Sequence, residues 1–328
     1  MRNTFILLLL TVSMSLVRGQ KEVITFLQMP DLSQALAMEY LSPMGEMMHG
    51  NLHSGWYRTA KTHRFLGFDV SLSMSTTTTP SDKRGYHIDE VPGFEQNYVL
   101  KDGSFSIAAN MAGQTSDFPV VKNKTDGREI QLPKGKGEDK FSLPVLSGGI
   151  GLPYNSELRI KLMPKLDRGN MGEVSLYGIG AKHSIKEYIP VLENVPVLSL
   201  ALWGAYTSMS NNIEIDYLEL GSAGRSLEGV MNGLSAKLLV GIDVPVVSAY
   251  MGIGYVSSKG EYTLKGNYYV GDAALLQEET NPLTVAYEYG KVALDFGVKA
   301  KIGMLELFAD YTPGAYGTIS LGAGVALR

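Results

Sequence analysis

Hydrophobic and polar residues alternate with a period of two along most of the chain beyond residue 60, and this alternation predicts β-strands rather than helices. In residues 63–75 the apolar side chains fall on one face of the predicted strand and the polar ones on the other. The apolar face carries Phe68, Val70, Leu72 and Met74, and the polar face carries Asp69, Ser71 and Ser73. The same alternation recurs at 156–165, 261–269, 283–289, 292–299, 305–311 and 316–328. The apolar faces carry no charge.

Further candidate strands occupy 51–61, 148–154, 173–182, 197–207, 212–220, 230–240 and 246–257. Together the segments predict about 14 strands (12 to 14) of roughly 9 to 13 residues, the length that a tilted strand needs to cross a bilayer. Short turn-like connectors at 258–260, 302–303 and 313–314 indicate an antiparallel meander. A helical turn is expected at 184–189.

One long interruption separates the first predicted strand from the rest. Residues 76–146 are rich in Gly, Pro, Asp and Asn, and they predict a long loop or a small subdomain. Within it, residues 97–109 predict a hairpin that turns at Asp102-Gly103.

The amino-terminal part of the chain has a different pattern. Residues 1–19 have a positive start, a short apolar run and small or modest residues before Gln20, which is typical of a secretory signal peptide. Residues 20–49 predict a helical segment that begins near Pro30-Asp31 and breaks at Ser42-Pro43. A barrel with the long insertion then occupies 50–328.

Composition narrows the function classes. The formal charge is −4, so there is no basic excess to bind nucleic acid. The chain has no Cys, which excludes a disulfide scaffold. Beyond the amino terminus no apolar run reaches the length of about 20 residues that a membrane-spanning helix needs.

Three patterns favour a barrel in the outer membrane over a periplasmic or secreted β protein, the alternative that stays open. The apolar faces are free of charge, and the connectors are unequal in length. Aromatic residues lie near predicted strand ends, where they are expected to form the aromatic girdles at the two membrane surfaces. These aromatic residues are Trp56, Tyr57, Tyr262, Tyr268, Tyr287, Tyr289, Tyr311 and Tyr316. The sequence therefore predicts an all-β, antiparallel transmembrane barrel with a plug-like amino-terminal helix.

The sequence resembles an uncharacterised family of Bacteroidota outer-membrane barrels. The resemblance rests on residues 35–43 (ALAMEYLSP), 51–61 (NLHSGWYRTAK), 65–70 (FLGFDV), 178–185 (GIGAKHSI) and 252–255 (GIGY). These motifs are structural, so the resemblance implies a fold and an outer-membrane location but no chemistry. The predicted helix before the first strand is also similar in architecture to long-chain fatty-acid transporters of outer membranes.

Candidate chemistry is sparse. His49 and His53 are four residues apart, but the nearby Gly50 and Gly55 argue against a helix that would align them for a metal. Ser54 lies beside His53, yet no nucleophile elbow accompanies it. We therefore expect no catalytic, cofactor-binding or metal-binding residues and no enzymatic activity.

The remaining candidates are apolar. The flexible side chains of Met44, Met47 and Met48 suit a pocket for varied apolar ligands, and Trp56 and Tyr57 follow them. Alternatively, the methionines pack the helix against the barrel wall. The predicted function is passage or binding of small, hydrophobic molecules across the outer membrane, with membrane lipid and such a ligand as partners. The alternatives are a structural or accessory barrel that docks other envelope proteins, and a lipid-modifying enzyme.

Overall fold

The computed structural model describes residues 22–115, 118–215, 224–271 and 276–327. The predicted signal peptide, residues 1–19, lies outside these ranges. Ten strands in the described ranges form one closed barrel in which every strand pairs antiparallel with its neighbours in the sequence, and the last strand pairs with the first. In chain order they are β1 (Phe68–Thr78), β2 (Lys140–Leu152), β3 (Ser156–Asp167), β4 (Glu173–Ser184), β5 (Leu198–Glu214), β6 (Ser226–Asp243), β7 (Val247–Lys265), β8 (Leu283–Ile302), β9 (Leu305–Thr312) and β10 (Thr318–Leu327).

The two ends of the barrel differ in their connections. At the end where β1 begins and β10 ends, here called the lower end, the strands are joined by 153–155, 185–197, 244–246 and 303–304. At the opposite, upper end the connections 79–139 and 266–282 are longer than any of these, whereas 168–172 and 313–317 are short. The predicted antiparallel meander is therefore confirmed, and its longest connections lie at the upper end.

The predicted number of about 14 strands is wrong. Residues 51–61 belong to a helix and a loop, and three pairs of predicted strands are single strands: β5, β7 and β8, which have 17, 19 and 20 residues. Residues 216–220 of the strand predicted at 212–220 lie outside the described residues. The turn predicted at 258–260 consequently lies inside β7. The other two short connectors predicted, at 302–303 and 313–314, lie at or beside strand ends.

A change in the phase of hydrophobicity within each long strand explains this error. In β8 the odd-numbered residues face inward along most of the strand; they are apolar at Leu283 and Val285 but charged at Asp295 and Lys299. The outward residues change in the opposite sense, from Glu288 to apolar residues beyond position 291. The apolar residues switch from one face to the other although the strand itself is continuous. The sequence pattern therefore predicts two strands where there is one.

The outer face of the lower barrel is an apolar band. Its side chains are about half exposed and come from all ten strands. They include Leu72, Leu146, Ile160, Ile179, Leu202, Leu234, Ile253, Leu294, Leu307 and Leu321. Above this band the long strands β6, β7 and β8 present polar residues outward, such as the exposed ion pair of Lys259 and Glu288 at 2.7 Å.

The connection 79–139 forms a small cap at the upper end. It contains a two-stranded sheet (Gly85–His87 and Ile107–Ala109), a three-stranded sheet (Tyr98–Leu100, Val120–Asn123 and Glu129–Gln131) and short helices at Ser81–Lys83 and Phe94–Asn97. The hairpin predicted at 97–109 is wrong, because its two arms pair with other strands. Tyr86, Phe94 and Ile130 bury their side chains against the upper barrel contents, so the cap is continuous with the core.

The remaining described elements are short, apart from one helix. Helical turns lie at Glu22–Thr25, Phe26–Gln28, Gly169–Met171, Lys186–Tyr188 and Pro190–Glu193, and a hairpin of Asn267–Val270 and Gln277–Thr280 lies at the upper end. The turn expected at 184–189 is confirmed. The long helix, Ser33–His53, is called the central helix below. Among the described residues, no helix combines the length and apolar character needed to cross a membrane.

Candidate functional site in the lumen

The central helix lies inside the barrel. It contacts six of the ten strands, β1, β2, β5, β6, β7 and β8, which together surround it on most sides. Its residues Leu36, Tyr40, Leu41 and Leu52 are fully buried in one hydrophobic core with the barrel wall and the cap. The upper lumen is therefore filled by this helix, which precedes the first strand in the sequence.

The helix continues through Pro43, so the break predicted at Ser42-Pro43 is wrong. A proline has no N–H for the carbonyl of residue i−4, which here is Glu39. The hydroxyl of Ser42 donates to that carbonyl at 3.0 Å and satisfies it instead. The neighbouring serine thus compensates for the hydrogen bond that the proline removes.

The three candidate methionines lie in the core between the helix and the wall. Met44, Met47 and Met48 are each at most 1% exposed. The hydroxyl of Tyr262 on β7 donates to the Sδ of Met48 at 2.6 Å. In this structure the methionines pack the helix against the barrel wall, which is the alternative to a ligand pocket that the sequence left open.

The lower part of the helix is fixed to the wall by polar side chains. The amide of Asn51 donates to the hydroxyl of Thr77 on β1 at 2.9 Å and to the carbonyl of Phe141 on β2 at 3.1 Å. The Nδ1 of His49 lies 2.6 Å from the hydroxyl of Ser258 on β7. These contacts hold the same helix to opposite parts of the wall.

His49 and His53 both lie in the central helix, so the expectation that Gly50 and Gly55 exclude a helix there is wrong. The two imidazole rings are 4.9 Å apart. The Nε2 of each ring has no hydrogen-bond partner among the described residues. The hydroxyl of Ser54 is bonded to Ser75 at 2.6 Å and to the carbonyl of Asn51. The structure therefore does not assemble a Ser54–His53 catalytic pair.

Residues 54–67, called the crossing segment, run across the lower lumen between the helix and β1. Trp56 and Tyr57 are buried in this segment, 2% and 3% exposed, and pack against Trp203 of β5 at ring distances of 5.3 Å. Tyr57 also packs on Tyr250 at 5.3 Å. The prediction that Trp56 and Tyr57 belong to an aromatic girdle at the membrane surface is wrong, because both rings face the lumen.

Most of the other aromatic residues predicted near strand ends also point inward. Tyr262, Tyr268 and Tyr287 are buried, whereas Tyr311 is outward and 44% exposed. The inward rings belong to the upper part of the barrel, where apolar residues face the lumen. The sequence pattern alone does not distinguish aromatic residues of an outer girdle from aromatic residues that pack inside the upper barrel.

The crossing segment is joined to the wall by buried polar contacts. The hydroxyl of Tyr57 donates to the carboxylate of Asp295 on β8. Lys237 of β6 also bonds to Asp295, at 2.5 Å.

Beside these residues lies a cluster of buried charges, called the lower charged cluster. Asp69 of β1 is its centre and accepts hydrogen bonds from the guanidinium groups of Arg58 and Arg159, at 2.8 Å from Arg159. His63 lies 2.5 Å from the same carboxylate. The cluster comprises Arg58, His63, Asp69, Glu157, Arg159, Lys182, Lys299 and Glu306, all of them less than a tenth exposed.

His63, Asp69 and Glu157 place potential metal-ligand atoms within 4.8 Å of one another. Arg159 contacts both carboxylates, Arg58 contacts Asp69, and Lys182 lies 3.2 Å from Glu157. These cations already neutralise the acidic groups and occupy their oxygens. The arrangement is therefore that of an ion-pair network, and a cation bound here would face three like charges.

The lower lumen is closed at this level. The cavity between the crossing segment and the wall, lined by members of the lower charged cluster together with Thr59 and Lys61, has a volume of about 10 Å³. That is about the space for one water molecule. A small organic solute does not fit in this cavity.

Sequence reasoning missed the lower charged cluster. The period-two alternation places Asp69, Glu157 and Arg159 on polar strand faces, and all three side chains are buried inside the barrel. Their mutual pairing depends on the register between β1, β2, β3 and β4 and on the path of the crossing segment. A charge-bearing polar face next to a charge-free apolar face is the only signal of the cluster in the sequence.

The comparisons with known proteins place the chain in a family. The sequence model of a family of unknown function (DUF6588) matches residues 1–327, and the chain belongs to that family. The resemblance to an uncharacterised family is thereby confirmed at that level. No curated protein matches the sequence.

Solved structures give distant likenesses. The translocator domain of the autotransporter NalP from Neisseria meningitidis is 13% identical, with 89% of this chain and 99% of that chain covered and a TM-score of 0.35. An outer membrane channel from Pseudomonas putida F1 is 12% identical, with 82% and 98% covered and a TM-score of 0.37. The Ralstonia pickettii toluene transporter TbuX is 8% identical, with 82% and 90% covered and a TM-score of 0.22.

Proposed function

We propose that this member of the DUF6588 family is an outer-membrane barrel through which small, apolar molecules pass when its own amino-terminal segment moves. In this proposal the central helix is a plug and the crossing segment is a second obstruction below it. The partners are the lipid around the barrel and the small apolar molecule within it.

The apolar band supports the membrane location. Leu72, Leu307 and Leu321 lie on the adjacent strands β1, β9 and β10. Their side chains are 57–60% exposed to the surroundings of the barrel. A continuous exposed apolar surface of this kind is stable only when lipid or another protein covers it. Each of the ten strands pairs with both of its neighbours in a closed barrel, which is the arrangement that lets strands cross hydrocarbon.

The position of the segment that fills the lumen supports gated passage. The barrel is filled by a segment that precedes β1 in the sequence, and the wall closes on itself without it. Displacement of the helix and the crossing segment would therefore open the lumen while leaving the wall hydrogen bonds intact. This is the observation that carries the proposal.

The contents of the upper lumen favour an apolar passenger. The wall there presents Val285, Leu283 and Leu264 inward, and the helix presents Met44 and Met47 against the barrel contents. Methionine side chains adapt their shape to different apolar partners. A passenger that replaces the helix contacts must itself be apolar to compensate for the surface that is uncovered.

A disulfide tether tests the movement. Ser54 joins the helix to the crossing segment, and its hydroxyl lies 2.6 Å from that of Ser75 on β1. In the variant S54C/S75C, oxidation pins both obstructions to the wall. We expect oxidation to reduce uptake of N-phenyl-1-naphthylamine by expressing cells, and conductance in planar bilayers, at least tenfold, with recovery on reduction.

The chain offers a matched control at the same strand position. Ser75 also lies 3.0 Å from Ser320 on β10, its register partner, so the disulfide of S75C/S320C joins wall to wall and leaves the helix free. Oxidation of this control should change neither readout. Equal transport by oxidised and reduced S54C/S75C would contradict the proposal.

The second candidate function is a structural or accessory barrel. The continuous core of cap, helix and wall favours it, because such a core suits a permanently closed barrel. This candidate predicts no uptake above that of cells lacking the protein in either redox state. It also predicts recovery of a large envelope partner after gentle detergent extraction.

A further inference from the structure

In the described part of the wall, the hydrogen-bonded ladder between β2 and β3 ends before the two strands do. The pairing of these strands extends from Leu152 and Ser156 up to Leu146 and Leu162, and it stops there although both strands continue upward in the described structure. Continuing the same register by two residues places Pro144 directly opposite Pro164. This position is called the β2–β3 seam below.

Two opposed prolines account for the end of the pairing. Proline has no N–H to donate to a neighbouring strand, and it is normally confined to strand edges or bulges. Here the ladder meets a missing donor on both strands at one level. On its other side, β3 shifts register against β4 between Met163 and Leu166, so a β-bulge bends β3 at Pro164.

The unpaired backbone is partly satisfied by a side chain above the seam. The guanidinium of Arg168, just after β3, donates to the carbonyl of Ser142 on β2 at 2.8 Å. This contact bridges the two strands where ladder hydrogen bonds are missing. A side-chain bridge can open without unfolding the ladder below it.

Apolar side chains lie on both sides of the seam. Outside, Leu146 and Leu162 are 50% and 44% exposed and form the upper edge of the apolar band there. Inside, Val145 and Met163 are buried in the same core that holds the central helix. A path through the seam would therefore join the lipid-facing band to the apolar upper lumen.

We propose that the β2–β3 seam is a lateral passage for small apolar molecules between the membrane and the upper lumen. The proposal rests on the proposed function, since it gives a route to the passenger of the plugged barrel. It assigns that passenger to molecules soluble in lipid, which have no need to cross the charged lower lumen.

Cysteine reactivity tests the seam directly, because the chain has no native Cys. Met163 and Met231 are both 1% exposed and inward, but Met231 is paired on both sides, with Met209 and Gly260. In lipid vesicles we expect M163C to react with the lipid-soluble reagent N-(1-pyrenyl)maleimide at least tenfold faster than M231C. Equal rates would overturn the proposal.

Closing the seam tests its use. The variant P144V/P164V supplies the missing N–H groups, and the oxidised pair V145C/M163C extends the ladder by one residue pair. Each should reduce uptake of N-phenyl-1-naphthylamine at least fivefold, whereas the oxidised pair I150C/L158C, register partners within the paired region, should not. Uptake that is blocked by the oxidised S54C/S75C tether but not by seam closure would overturn the lateral passage and leave the proposed function standing. Uptake that neither change affects would overturn both proposals.

Discussion

At the scale of single residues, the lumen depends on polar groups whose partners are all internal. Asn51 and Asp69 each satisfy a buried neighbour, and Ser42 satisfies a partly buried one. The partners of Asn51 and Asp69 come from elements distant in the sequence, so these contacts were not predictable. The partner of Ser42 lies three residues away, but its contact matters only because the helix continues through Pro43.

Replacement of Ser42 tests the compensation for Pro43. S42A leaves the carbonyl of Glu39 without a donor in a partly buried place, and we expect a loss of about 1 kcal/mol in the free energy of unfolding. The measurement is urea unfolding in detergent micelles. S33A removes a similar bond at 3.1 Å to the carbonyl of Pro30, but in an exposed position, and should cost less. Equal losses would show that Ser42 has no special role.

Asp69 tests the lower charged cluster. In D69N the side chains of Arg58 and Arg159 keep their charge and lose the carboxylate between them, so we expect a loss of about 3 to 5 kcal/mol in the free energy of unfolding. The exposed pair of Lys259 and Glu288 provides the control, and E288Q should change stability by less than about 1 kcal/mol. A small effect of D69N in the same urea titration would contradict the assigned role of the cluster.

At the scale of elements, the long strands cross two environments. The lower part of β7 is apolar outward and small or polar inward, and its upper part is polar outward and carries Tyr262 and Leu264 inward. The period of two was predicted from the sequence along 246–257 and 261–269, but not across 258–260. The continuity of the strand was not predictable, because the break in hydrophobic phase has the same appearance as a turn.

This change of phase predicts the upper boundary of the membrane. Ile253 and Thr263 both face outward on β7, one within the apolar band and one above it. A lysine in the lipid-facing region of a barrel costs up to about 2 to 4 kcal/mol. I253K should therefore reduce the fraction of protein that inserts into lipid vesicles, measured by the heat-dependent shift on gels, whereas T263K should insert like the parent. Equal insertion by both would place the boundary elsewhere.

At the scale of the whole molecule, the chain passes through its own barrel. Glu22 lies 3.0 Å from Lys136 of the cap at the upper end, and β1 begins at the lower end, so the central helix and crossing segment traverse the lumen between them. The sequence predicted a helix before a barrel but not this direction, because nothing local specifies which end the helix enters. The start of the described chain and the end of β10 thus lie at opposite ends of the barrel.

Epitope tags test this direction. Long connections of outer-membrane barrels face the outside of the cell and short turns face the periplasm. A tag inserted before Glu22 should bind antibody on intact cells, and a tag added after Arg328 should bind only after the cells are permeabilised. Equal accessibility of both tags on intact cells would contradict the path through the lumen.

The path through the lumen also keeps the central helix attached to its barrel. The crossing segment joins the helix to β1 at the lower end, where β1 pairs with the last strand. A helix displaced from the lumen therefore stays tethered to the first strand. Its return is an intramolecular step, and the length of the crossing segment sets the effective concentration at which the helix rebinds.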